Sequence, residues 1–493
     1  MTKRLIAVLA ASFAILVAVM WVRAERLGDP APLDAMGIKP PEDGAAAEAA
    51  ARRLAGALRF RTISRSVEAP LPREAFTGLH AYLAETYPAF HRVAEREVIG
   101  QGSLMYRWPG RDGGADPVGF LAHLDVVPVE KGTEAAWTHP PFDGVVADGI
   151  IWGRGTLDDK GSVIALLEAA EKLAAAGERP ARDVYFLFGH DEELGGDRGA
   201  RVMARTLTDR GITLDWTLDE GSALMTDLVP GVQAPIAMVS VAEKGSVTLK
   251  ITATADGGHS SAPARETAVS LLARGVRAVS DHPYPLVLDE TLADFLTSVA
   301  PHMPWMQRMA IANLWLTQNM LAGELGRSPT VAAAMHTTTA PTVIRGGTKT
   351  NILPQAATAY VNYRIHPRNS VDSVLARARS LMPEDLPPGA SLKVEKAGSG
   401  RNATPPASTD ADGYKLLESV IRDSFGPVPV APATTIVGTD SRHFQQAARN
   451  TYRFSPFGLT KDSMKRIHGT DEHMPVAHLA AAIRFYERLF KGL

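Results

Sequence analysis

The sequence predicts an α/β chain built on a parallel sheet, with a second and smaller α+β unit inserted into it. Three observations carry that expectation. Val118–Leu121 and Asp183–Phe188 are short apolar runs that end in polar clusters, as buried strands do; the Ala/Leu/Glu-rich segment Ser162–Ala176 between them reads as a helix closed by Gly177. Strand, helix and strand in this order build a parallel sheet that presents ligands at its strand carboxyl ends. After Glu243 the texture changes to a period-two strand, Ser246–Ala255, a helix at Thr267–Ser280, strands at Thr342–Ile344 and Ala357–Ile365, a helix at Val371–Met382 and a strand at Ser391–Lys396. That order, β-α-β-β-α-β, is the ferredoxin-like arrangement. The length of 493 residues exceeds what one hydrophobic core organises.

From the N-terminus, Lys3 and Arg4 precede Leu5–Val22, an uncharged stretch in which Ser12 is the one polar residue. Its length, about eighteen residues, is at the lower limit for crossing the hydrocarbon of a bilayer. The alternative is a cleaved signal peptide, but Val22 and Ala24 make a poor cleavage pair. Residues 1–26 are therefore expected to be a retained anchor with its N-terminus cytoplasmic and the catalytic mass extracytoplasmic. A Gly/Pro/Asp/Ala-rich linker, 27–47, follows. The expected division is then 48–243 for the first part of the sheet domain, with helices at Glu48–Phe60 and Glu74–Tyr87. Residues 244–398 form the insertion. Residues 399–493 return to the sheet domain through Tyr414–Phe425, Thr434–Val437 and Ala477–Phe490. The insertion carries its own excursion, Tyr284–Ala340, with Trp305, Trp315 and several Met residues, which reads either as packing or as an apolar wall for an acyl chain.

Composition narrows the chemistry. A net charge of −2 offers no basic field to nucleic acid. The chain has no Cys, so disulfides, thiol nucleophiles and Cys-ligated metals are excluded. Any metal must be held by His, Asp and Glu.

Such residues cluster at the predicted strand ends. His123-Leu124-Asp125 follows Val118–Leu121, and side chains two apart on extended backbone share a face. An imidazole that ligates and a carboxylate that orients it would make such a pair, although an HxD triplet also arises by chance. Gly153-Arg154-Gly155-Thr156-Leu157-Asp158-Asp159-Lys160-Gly161 is a Gly-rich turn before a helix. It lacks the phosphate-loop order, and its two carboxylates would repel phosphate; helix capping is the simpler alternative. His190-Asp191-Glu192-Glu193-Leu194-Gly195-Gly196, Asp219-Glu220 and Arg466-Ile467-His468 complete the set. Each has a bland reading as solvated surface. Their coincidence in a Cys-free chain does not.

These motifs, in this order, resemble the M20 family of dinuclear zinc peptidases and aminoacylases, nearest to its branch of carboxypeptidase S and the N-fatty-acyl-amino-acid hydrolases. The resemblance runs from about residue 50 to the C-terminus. It implies a zinc-peptidase-like α/β/α catalytic domain, with the inserted domain as a lid. It implies two Zn²⁺ per chain, or Co²⁺ or Mn²⁺ in their place, held by His123, Asp158 as the bridge, Glu193, His468 and Asp219, with Glu220 a live substitute for Asp219. Asp125 would orient His123, and Glu192 would be the general base toward a metal-bridging hydroxide. A cis peptide at Asp158–Asp159 is implied as well. His259 of the lid resembles an oxyanion donor; a turn histidine without a role is the alternative. Asn351 and Arg364 resemble the pair that anchors the substrate carboxylate, with Arg442 a second clamp; for the two arginines a surface salt bridge is the alternative. The implied reaction is hydrolysis, or reversal, of the amide bond of an N-acyl amino acid or small peptide. A homodimer through the lid is expected, with lid residues then reaching a partner's site. The alternative function, a membrane-tethered and catalytically silent receptor, would be expected to have lost ligands that are present here.

Overall fold

The structure is a computed structural model and describes residues 2–493. Its larger sheet has eight strands in the order Glu95–Ile99, Ser103–Trp108, Val184–Gly189, Val118–His123, Leu214–Met225, Ala448–Leu459, Ile236–Glu243 and Val430–Thr435. The central strands Val184–Gly189, Val118–His123, Leu214–Met225 and Ala448–Leu459 run parallel. Val118–His123 and Val184–Gly189 are buried at every position, as parallel strands covered on both faces must be. Helices Lys160–Ala175 and Val476–Gly492 pack together on one face, where Phe120, Phe186 and Phe490 meet edge to face.

The insertion has its own four-stranded antiparallel sheet, ordered Thr338–Gly346, Ala356–Ile365, Gly245–Thr254, Ser391–Lys396. Gly245–Thr254 alternates buried and half-buried residues along its length, so Val247, Leu249, Ile251 and Ala253 form one face of a separate core. Helices Ala268–Ser280 and Val371–Ser380 cover that face. The α/β class and the ferredoxin-like order are thus as the sequence predicts.

The departures have physical reasons. The hairpin Glu95–Ile99/Ser103–Trp108 and the strands Ile236–Glu243 and Ala448–Leu459 are additional to the expected elements. Ala448–Leu459 is central, yet it carries Arg449, Asn450, Arg453, Pro456 and Gly458. Arg453 can lie there fully buried because Glu243 of the neighbouring strand faces it at 3.6 Å. The expected strand Thr434–Val437 lies earlier, at Val430–Thr435, where Pro432 is tolerated at the sheet edge. Residues 27–47 are not wholly irregular: a helix begins at Gly44, capped by the Asp43 carboxylate on the Ala46 N–H.

His80 and His478 are among the histidines that burial keeps neutral in this fold, His443 being another lowered to about 4. His80 is buried on its helix, its Nε2 3.0 Å from the Gly102 carbonyl, and burial pushes its pKa down to about 4. Burial does the same to His478. A pKa below the unfolded value of about 6.5 means stability is complete above that pH and is lost as pH falls toward 4. The free energy of unfolding should therefore drop between pH 6.5 and 4, by on the order of 1–3 kcal/mol for the pair. His80→Gln combined with His478→Gln should flatten that slope; an unchanged slope would refute the assignment.

Candidate metal centre

His123 is the last residue of its strand, in register with Gly189 of the next, so the turn carrying Glu192 and Glu193 emerges beside it. Its Nε2 lies 2.8 Å from Asp158 Oδ1 and 3.7 Å from Glu220 Oε1. Its Nδ1 faces Asp125 twice, at 3.0 Å from the carbonyl and 3.3 Å from the carboxylate. The Asp125 carboxylate, fully buried, also accepts the Ser64 hydroxyl at 2.6 Å and the backbone N–H groups of Glu192 and Glu193 at 3.2 Å each. One carboxylate thereby sets the imidazole plane and the start of the glutamate turn.

Asp158 sits in the Gly-rich turn, and the Asp158–Asp159 peptide is cis. Its second oxygen lies 2.9 Å from His468 Nε2, and Glu193 Oε2 lies 3.0 Å from the same nitrogen. Two triads result, His123/Asp158/Glu220 and Asp158/Glu193/His468, each with its donor atoms within 4.8 Å of one another and with Asp158 in common.

Of the two candidates at this strand, Glu220 rather than Asp219 faces His123. The strand Leu214–Met225 does not stop at Asp219 but runs through it, so adjacent side chains leave on opposite faces. Asp219 is spent on the backbone, accepting the Ser441 N–H at 2.6 Å and the Glu220 N–H at 2.9 Å. Glu220 is the one that turns toward His123.

Glu472 is a residue that motif reading passed over. Fully buried, it accepts the N–H groups of Gly155, Leu157 and Asp158 and pairs with Arg154 at 2.7 Å. Arg154 in turn donates to the carbonyls of His468 and Gly469. The carboxylate loop and the histidine loop, more than 300 residues apart in the chain, are held by this one pair. Its signal was the Arg154 inside the glycine turn and the Glu472 four residues past His468. Lys160 of the same turn is buried and donates to the carbonyls of Ala57 and Phe60.

The electrostatics are those of a negative site lacking positive charge. Burial, together with Asp158, pushes Glu193 up to about 7. Burial and the neighbouring Asp158 and Asp159 raise Glu220 well above the usual range, and burial raises Glu192 likewise. Burial would raise Asp158 too, but the hydrogen bonds from His123 and His468 hold it below the ordinary carboxylate value. Those same contacts with Asp158 and Glu193 raise His468 to about 10. Glu193 Oε1 is buried without a hydrogen-bond partner among the described residues. Imidazole nitrogens and converging carboxylates, one oxygen of them orphaned, fit divalent cations of the zinc class.

Beside the triads opens a cavity of about 780 Å³, lined by Glu192, Glu193, His468, Arg364 and Arg442. Two cations missing from the sequence reading, Lys244 and Arg401, also line it. Lys244 ends an apolar strand, the textual sign of its burial, and burial lowers its pKa to about 8. Arg442 spends part of its fork on the carbonyls of Gly195 and Thr439 and comes within 3.9 Å of Glu192. His259 and Asn351 stand apart from this cavity. They lie on an exposed lid ribbon in which Gly258–His259 pairs with Ile352–Leu353, and His259 Nδ1 is 2.8 Å from Ser261 Oγ.

A parallel-sheet domain with paired acidic triads at its strand ends, beside an inserted α+β lid, defines a metal-dependent hydrolase. The family model for peptidase family M20/M25/M40 matches residues 119–492, and the chain belongs to that family. It is 37% identical over 451 residues to probable carboxypeptidase S-like 2 of Dictyostelium discoideum, covering 90% of this chain and 84% of that one. It is 34% identical over 443 residues to the human N-fatty-acyl-amino acid synthase/hydrolase PM20D1, covering 89% and 86%. Among solved structures, the M20 family metallo-carboxypeptidase Sso-CP2 from Sulfolobus solfataricus superposes with a TM-score of 0.63 at 17% identity, covering 90% of this chain and 98% of that one, which bears on the fold alone. The protein is a hydrolytic enzyme, and the silent receptor is set aside.

Proposed function

We propose that the protein is a dinuclear metal hydrolase that cleaves the amide bond of N-acyl amino acids, with short C-terminal peptides as the neighbouring substrate class. The observation that carries this reading is the pair of triads sharing Asp158, one of which brings Glu193 and His468 into the wall of a cavity that also holds Arg364, Arg401, Arg442 and Lys244. Cations so placed suit a substrate with a free carboxylate. The names of the relatives support both classes, the human PM20D1 the acyl one and the carboxypeptidase S-like protein the peptide one. When bound, the two cations would polarise the scissile carbonyl and acidify a water. His123, Asp158 and Glu220 would hold one; Asp158, Glu193 and His468 the other. Glu192 takes the proton from the attacking water and delivers it to the leaving amine. Asp125 fixes both His123 and the backbone of Glu192 during that transfer. Arg364 and Arg442 bind the carboxylate, while His259 and Asn351 serve from the lid ribbon, reaching the site on lid closure or in a homodimer paired along the exposed edge strand Thr338–Gly346. The Thr2–Glu25 helix anchors the enzyme, with the catalytic domain extracytoplasmic.

Purified enzyme supplied with zinc is expected to release the amine from N-acyl amino acids and to lose most of that activity on carboxyl-amidated versions. Failure to cleave any N-acyl amino acid or dipeptide would overturn the reading. Metal content offers a second check. Wild type should retain about two zinc per chain after dialysis, and Glu220→Ala about one. Asp219→Ala is the contrasting variant: should it lose a metal while Glu220→Ala keeps both, the ligand assignment is wrong.

A further inference from the structure

The excursion of the lid does not pack away its apolar residues. In its helices Trp305–Ala312 and Leu314–Leu325, Met306 is 69% exposed, Trp315 57% and Met320 62%, with Leu316 beside them. The two helices carry one buried cation, Arg308, and one further charge, Glu324. Such a face on a soluble surface calls for a partner.

The helix Thr2–Glu25 shows what that partner is. Its C-terminal end is bonded into the excursion rather than left on a free linker. Arg308 Nε donates to the Ala24 carbonyl at 2.9 Å, Asn313 Nδ2 to the Met20 carbonyl at 3.1 Å, and Arg23 Nε to the Ala312 carbonyl at 3.0 Å. Ala24 is fully buried, and Trp21 packs on Trp305 with ring centroids 4.5 Å apart. Leu27 adds to the small core of Leu296, Ala300 and Ile311. Removal of the helix would take one acceptor each from Arg308 Nε and from Asn313 Nδ2, which keeps only the Met309 carbonyl, and this speaks for a retained helix. The helix as a whole is long and apolar enough to cross a bilayer, and most of its residues ahead of Met20 are exposed.

Trp21, Trp305 and Trp315 gather where the span ends, the level at which aromatic belts lie. Met306 adjoins Trp305, and Trp315 Nε1 bonds Asn313, which touches the span directly. The apolar face is thus continuous with the span.

Resting on the reading of Thr2–Glu25 as an anchor, we propose that the excursion helices Trp305–Ala312 and Leu314–Leu325 form a second membrane contact, lying in the lipid interface with Met306, Trp315, Leu316 and Met320 among the acyl chains. The excursion then joins bilayer to cavity. Its helix Glu290–Val299 packs on the catalytic strand Val430–Thr435, and Ala333 lines the cavity wall. An amphiphile held in the membrane is the substrate form this arrangement suits.

The Cys-free chain makes the test direct. Full-length Trp315→Cys and Met320→Cys, each labelled with an environment-sensitive fluorophore, are reconstituted in phosphatidylcholine vesicles with or without nitroxide-labelled lipid. Phe13→Cys in the anchor and Lys131→Cys on a catalytic-domain loop are the references. Labels at 315 and 320 should emit blue-shifted light and be quenched at least about twofold by the nitroxide lipid, as at 13, because an interfacial helix sits ~5–10 Å into the headgroup boundary. Quenching at 13 with water-like emission at 315 and 320 overturns the second contact and leaves the anchor standing. Blue-shifted labels that the lipid does not quench would mean a second copy covers the face, which also overturns it. An unquenched label at 13 removes the anchor and the contact together.

Discussion

Glu192→Gln is expected to lower kcat by about two to four orders of magnitude while leaving folding and metal content as in wild type. The substitution keeps the shape of the side chain and removes its capacity to take a proton. Glu192 belongs to neither triad, and its backbone is fixed by Asp125, so metal binding does not depend on its charge. It lines the cavity at the triads' edge, where a proton must be collected and passed to the departing amine. A stopped assay on N-acyl amino acids beside wild type, with metal analysis of both proteins, is the measurement. Undiminished turnover would move the base elsewhere; a variant short of zinc would make Glu192 a ligand.

The second large effect belongs to Glu472. Glu472→Ala leaves Arg154 buried without its carboxylate and three backbone N–H groups of the glycine turn without their acceptor. Breaking a buried pair from one side costs about 3–5 kcal/mol. The loss should fall on function as well as stability, because Arg154 is what ties the His468 loop to the Asp158 loop. A melting point lowered by several degrees, with zinc falling below two per chain and poor activity even when zinc is restored, is the expected pattern. Wild-type metal content and activity in a folded Glu472→Ala protein would show the two loops to be positioned by other contacts.

Much of this was readable before any coordinates. His123, Asp158, Glu193 and His468 come together as the motifs imply, because each follows an apolar run or a glycine turn that fixes where it emerges. Asp219 and Glu220 could not be told apart from the motif, for a reason of periodicity. A strand thought to end there runs on, and one step along it changes the face. Ala448–Leu459 escaped notice because its buried Arg453 looks like a surface residue until Glu243 is seen beside it. Arg401 and Glu472 were hidden for the same cause: such a charge is explained by its partner, and the partners lie far along the chain. The role of the Thr2–Glu25 helix was half legible. Its hydropathy is local, but the hydrogen bonds that seat its end on residues 308–313 are not.

Because a single aspartate belongs to both cation cradles, the two cannot be filled independently. Whatever alters occupancy of one changes affinity at the other by the same factor in return. A substitution at Asp158 should therefore be felt in both cradles at once, whereas one at Glu220 bears first on a single cradle.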